Sequence, residues 1–128
     1  MLANTLIYVG ASLPLLWGIA HLFPTKSVVR GFGDISADNK NIITMEWIIE
    51  GVVLIFIGSL IVLVTVIDSA NIISKTVYAA SSVCLVVLAI ISLMTGFKIQ
   101  FLPFKLCPII FVTSATLIIC GLVTLSTA

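Results

Sequence analysis

Three side chains hold most of the chemical options of this sequence. Glu46 and Glu50 stand four apart in one apolar stretch, and His21 closes the apolar stretch before it. On a helix that spacing puts both carboxylates on one face. Within a lipid phase such groups are costly unless they face water, find a partner or take up a proton, so they mark ligand contacts, ion pathways or proton relays. Imidazole is the natural partner for Glu50. Glu46 is sufficiently explained as a first-turn carboxylate complementing a helix N-terminus. Trp17 and Trp47 read most simply as interfacial belt residues, although either ring suits the wall of a pocket beside Glu50. His21, Glu50, Glu46, Trp17 and Trp47 are therefore the candidate ligand-binding residues.

Metal and cofactor chemistry find little purchase. One His and two Glu resemble a hard-cation set, but the ligand spacing of zinc sites is absent and the chain has a single His. No metal is expected, haem held by two histidines is excluded, and the residues name no cofactor. Cys107 follows Lys105 by two residues and precedes Pro108, a setting in which a thiol can be reactive, yet inert packing explains it equally simply. Cys84 and Cys120 fall at similar depth in their stretches, and burial as free thiols is expected over a disulfide.

The elements that position these residues follow from composition. Of 128 residues, 61% are hydrophobic and only 9% charged, against roughly 25% charged in soluble domains; mean hydropathy is +1.35. A water-soluble fold is excluded. The net charge of +1, with basic residues scattered over the connectors, argues against nucleic acid. Apolar stretches at about 2–23, 45–67, 76–97 and 106–126 each approach the ~20 residues needed to cross a ~30 Å hydrocarbon core. Continuous rather than alternating runs favour helices over a barrel. The expected fold is a single all-α domain: an antiparallel up-down four-helix bundle in the membrane, with a long first connector. The first segment lacks a preceding Lys or Arg and is too long for a signal-peptide core, so it is expected to persist in the mature protein.

Lys26, Arg30, Lys40, Lys98 and Lys105 occupy the first and third connectors and only Lys75 the second. The positive-inside rule then places those two connectors in the cytoplasm and both termini outside, in a cell membrane of the bacterial inner-membrane type. The first connector, 24–44, reads as a solvated loop. A short interfacial helix is the alternative, suggested by Val28, Phe32 and Ile35 opposite Lys26, Arg30 and Asp34 and opposed by Gly31 and Gly33. Phe101 and Phe104 with Lys98 and Lys105 place the third connector in the headgroup layer, and Pro108 is expected to open the last helix.

Packing faces are also legible. Gly10, Pro14, Gly18 and His21 share one side of the first helix, Glu46, Glu50, Leu54, Gly58 and Thr65 one side of the second, and Ser82, Ala89 and Gly96 one side of the third. In the fourth, Thr113, Thr116, Cys120 and Thr124 form the expected seam.

The stretch Gly18-Ile-Ala-His21 leading to Thr25, with Glu46, Trp47 and Gly51 in the next span, resembles small four-helix bacterial membrane families, the DoxX-like group among them. The resemblance covers the first half of the chain. It implies a four-helix bundle and, for some members, quinone or thiol redox chemistry. Taken together, the residues favour a non-enzymatic bundle in the lipid bilayer that binds a lipid, a small apolar ligand or a partner membrane protein through His21 and Glu50. A proton-coupled oligomeric transporter and a quinone- or thiol-linked oxidoreductase are the alternatives. A homo-oligomer is compatible with all three.

Overall fold

The computed structural model describes residues 1–100 and 102–127, which leaves Phe101 and Ala128 outside the described residues. Its helices are α1 (Leu2–Leu22), α2 (Thr25–Gly31), α3 (Ala37–Asp68), α4 (Ile72–Thr95) and α5 (Leu102–Thr127), with one 3-10 turn at Gly96–Lys98 and no strand among the described residues. Helices α1, α3, α4 and α5 are each long and apolar enough to cross a membrane. The chain is an all-α, multi-pass membrane protein.

Three helix starts, at Ala37, Ile72 and Leu102, lie upstream of the apolar runs. Ser36 caps α3 by accepting a hydrogen bond from the Asn39 amide at 3.2 Å, and Asp38 supplies acid in the first turn. The helix therefore begins eight residues before 45, where hydropathy alone put it, and Glu46 is well inside it. Helix-end complementarity does not explain Glu46. Asn71 caps α4 in the same way, its Oδ1 accepting from the Ile73 amide at 2.9 Å, while Asp68 Oδ1 takes the Ala70 amide at 3.0 Å. These polar caps escape a hydropathy scan because they add helix outside the apolar run. Pro108 likewise sits inside α5 rather than opening it. The first connector is not a plain loop: α2 forms, with Val28 and Val29 buried, and the chain turns at Gly33, whose φ of 72° suits glycine.

Close backbone approach holds α1 at the centre. A Cβ at Gly18 would lie 2.6 Å from the Gly51 carbonyl oxygen, and one at Gly58 would lie 2.7 Å from that of Ala11, so α1 and α3 touch through glycine. On the other side, Gly10 and Gly121 give the same closeness to α5. Pro14 lacks the N–H that would bond the Gly10 carbonyl in a regular helix. Ser114 of α5 fills that role, its hydroxyl donating to Gly10 O at 2.7 Å. The freed group in α1 thus becomes a tie between helices, as lipid-embedded proline requires.

The buried seam of α5 runs through Cys107, Phe111, Ser114, Ala115, Ile118 and Gly121. Thr113, Thr116 and Cys120 face outward instead, and Thr124 is only half-buried. The reason is local: Thr116 and Thr124 donate to the carbonyls of Val112 and Cys120 in their own helix, so they need no partner across a seam. Cys84 and Cys120 are free thiols on the outer surface of the bundle rather than buried ones.

Helices α3 and α4 are tied at their shared hairpin. Ser74 donates to Asp68 O at 2.6 Å, and the hydroxyls of Thr65 and Tyr78 meet at 2.8 Å in a buried position. Over their length these two helices pack less closely than the other pairs of neighbouring spans, and a groove opens between them toward the His21 end.

Candidate functional site

His21 is placed by the end of α1. The last carbonyls of a helix have no partner within it. Here Trp47 Nε1 donates to His21 O at 2.8 Å, and Thr25 Oγ1 donates to Leu22 O at 2.7 Å. The indole that completes the helix also holds the imidazole, since the Trp47 and His21 rings stack at a centroid distance of 3.8 Å and 14° between planes. Phe104 meets the edge of Trp47 at 5.6 Å. Trp47 is buried, so it is a positioning group inside the bundle rather than a belt residue.

His21 Nε2 faces Glu50, 3.4 Å from Oε2. The side chains are unequally covered: that of His21 is 3% exposed and that of Glu50 is 37% exposed. The separation suits an ion pair without hydrogen-bond alignment, and Nε2 has no hydrogen-bond partner. It is the single contact of this kind between a basic and an acidic side chain among the described residues. One carboxylate oxygen thus points at a buried imidazole while the side chain also lines the groove between α3 and α4.

That opening is a groove of about 530 Å³. Ile42, Ile49, Val53, Leu88, Ile91 and Phe104 give it apolar walls; Glu46, Glu50, Ser92 and Thr95 supply its polar atoms; no Lys or Arg lines it. Its character follows from the placement of α3. At ~1.5 Å per residue, ~30 Å of hydrocarbon measured from Asp68 ends near Ile48, so Glu50 stands about 3 Å inside and Glu46 about 3 Å outside. On that reckoning, by length alone, the groove reaches the edge of the apolar layer.

Of the sequence candidates, His21, Trp47, Glu50 and Glu46 converge here. Trp17 does not line the groove; its Nε1 donates to Cys107 Sγ at 3.4 Å and ties α1 to α5. Ser92, Thr95 and Phe104 are groove residues that sequence reasoning missed. Their signal was weak: Ser92 precedes Thr95 by three residues at the end of a span, a pattern that equally suits plain helix packing. No cluster of three or more His, Cys, Asp or Glu able to hold a metal occurs among the described residues.

No protein-family model, curated protein or solved structure matches this chain. The DoxX-like resemblance thus gains no support from these comparisons, and the groove stands on its own geometry.

Proposed function

We propose that this protein is a membrane-embedded binding bundle whose α3–α4 groove takes an amphiphile with a cationic, hydrogen-bond-donating head. The carrying observation is an apolar groove at the His21 end of the bundle with two carboxylates and no basic residue in its lining. The apolar body lies along Val53, Leu88 and Ile91, and the head meets Glu50 and Glu46. His21, clamped by Trp47, holds the Glu50 carboxylate in place when the groove is empty. Trp47 lines the groove and reports on its occupancy.

The test is a tryptophan fluorescence titration of the protein in phosphatidylcholine nanodiscs with dodecylamine and with dodecanol. A charge-assisted hydrogen bond contributes ~1.5–3 kcal/mol, so the amine should bind at least tenfold more tightly than the alcohol, and Glu50→Gln should remove that difference. Equal binding of the two probes, or an amine preference untouched by Glu50→Gln, sinks the reading.

One observation favours a second reading. Glu50 is open to the groove on one side and faces a titratable imidazole on the other, the arrangement a proton-coupled transporter needs. Its test is proton-coupled flux in proteoliposomes, which Glu50→Gln should abolish; unchanged flux removes it. Thiol redox chemistry has no comparable support, because Cys107 is buried and engaged by Trp17.

For orientation, we infer from the basic connectors that the groove end is cytoplasmic and both termini lie outside. Cys107 is too buried to report sidedness. In a chain with its three cysteines replaced by Ser, Asn39→Cys should resist an impermeant maleimide in intact cells and Ala70→Cys should react; the opposite pattern inverts the orientation.

A further inference from the structure

A second recess lies on the same end of the bundle and shares no residue with the groove. It encloses about 250 Å³ between α2 and the start of α3, and it is lined by Thr25, Lys26, Val29, Arg30, Lys40 and Thr44. Three of the chain's six Lys and Arg residues therefore converge on one small space. Lys26 and Arg30 are four apart and project from the same side of α2, while Lys40 comes from α3. No acidic residue lines the recess, and none of the three cations takes part in an ion pair among the described residues. Asp34 and Asp38 stand in the same stretch of chain but outside its lining.

The recess is built rather than incidental. Val28 and Val29 are buried and seat α2, and Thr25 Oγ1 fastens its first residue to the end of α1. The positive-inside rule accounts for basic residues somewhere in this connector, but not for their meeting from two helices around one cavity. Depth supplies the second argument. With the hydrocarbon edge near Ile48, Thr44 lies about 6 Å and Lys40 about 12 Å beyond it along α3. Thr44 thus falls in the headgroup layer, roughly 5–7 Å thick on each side of the bilayer, and Lys40, on its aqueous side, lines the same recess as Thr44.

We propose that this recess seats the phosphate of an anionic lipid headgroup, with Lys26, Arg30 and Lys40 as its donors. Thr25 and Thr44 spend their hydroxyl protons on Leu22 O and Lys40 O, so they shape the recess and do not donate to the phosphate. The guanidinium of Arg30 gives planar contact to the phosphate oxygens, and the two ammonium groups complete the charge. The bound lipid fixes α2 against α3 on the face opposite to the cationic amphiphile's groove, and the site does not depend on that groove being functional.

The experiment is native mass spectrometry of the full chain released from nanodiscs of phosphatidylcholine and phosphatidylglycerol, reading the ratio of the two lipids retained. At about fivefold per basic residue near an anionic surface, the triple variant Lys26→Gln, Arg30→Gln, Lys40→Gln should lower phosphatidylglycerol enrichment by up to about a hundredfold. The charge-matched triple Lys75→Gln, Lys98→Gln, Lys105→Gln should keep it. Equal loss in both triples would mean diffuse electrostatics and overturn the site. Full displacement of the lipid by inorganic phosphate at equal concentration would overturn the lipid assignment in favour of free phosphate. Should the first triple fail to fold, the pair Lys40→Gln and Lys40→Arg decides: enrichment must fall in the former and persist in the latter.

Discussion

The tie between Pro14 and Ser114 makes a prediction that a list of contacts would not. Ser114 is fully buried, and its hydroxyl donates to the Gly10 carbonyl, whose usual donor is missing because residue 14 is proline. Removing the hydroxyl by Ser114→Ala leaves a buried carbonyl without the donor that replaces the missing amide, which should cost about 1–2 kcal/mol, toward the upper end of interhelical hydrogen bonds in bilayers. Pro14→Ala restores an N–H able to reach Gly10 O within α1. In that background the hydroxyl has nothing left to satisfy, so Ser114→Ala should cost only a few tenths of a kcal/mol. A double-mutant cycle should then show coupling of about 1 kcal/mol between two residues that are a hundred positions apart in sequence. The assay is reversible unfolding by SDS in mixed micelles, followed by circular dichroism for all four proteins. Additive effects would refute the reasoning: if Ser114→Ala costs the same with and without Pro14, the hydroxyl is not standing in for the missing amide.

Other consequences are simpler. Gly18→Ala puts a Cβ 2.6 Å from the Gly51 carbonyl oxygen, so α1 and α3 must separate; the expected loss is about 1–3 kcal/mol, with a change in Trp47 emission as His21 leaves Glu50. Gly31→Ala, with nothing near its Cβ position, should be neutral or stabilising by up to about 1 kcal/mol in the same unfolding assay. Ser82 is buried with an unpartnered hydroxyl, so Ser82→Ala should not destabilise the bundle, whereas Thr65→Val, which breaks the bond to Tyr78, should cost about 0.5–1.5 kcal/mol. Trp47→Phe keeps a ring against His21 but removes the donor to its carbonyl; loss of about 1 kcal/mol and weaker amine binding in the nanodisc titration are expected, and unchanged values for both would argue against the positioning role of the indole.

What the amino-acid sequence settles here is solvent and direction. Long uncharged runs can be buried only in lipid, and lipid admits only structures that satisfy their own backbone, so the four spans follow from composition alone. The inward face of α1 was also legible, and that of α3 from Leu54 through Gly58 to Thr65, because glycine at helical spacing has one common use in a bilayer; Glu46, expected on the same packing face, is exposed, and Glu50 is only half-buried, because both border the groove. The seam of α5 was not. Hydroxyl residues look alike in sequence whether they bond a neighbour, as Ser114 does, or their own preceding turn, as Thr116 does. Helix starts were misplaced for a similar reason: Ser36 and Asn71 cap polar extensions to which hydropathy is blind.

Glu50 and His21 announced themselves as the unusual residues of a charge-poor chain, and their spacing made a partnership reasonable. Only the tertiary structure decided the rest. The clamp of Trp47 on His21 depends on the angle at which α1 meets α3. The groove exists because α3 and α4 are fastened at one end by Ser74, Thr65 and Tyr78 and left apart at the other. The recess of Lys26, Arg30 and Lys40 exists because α2 folds back onto α3. Residue types are written in the chain one at a time, but a cavity is a property of several helices at once, fixed by how closely each pair can approach.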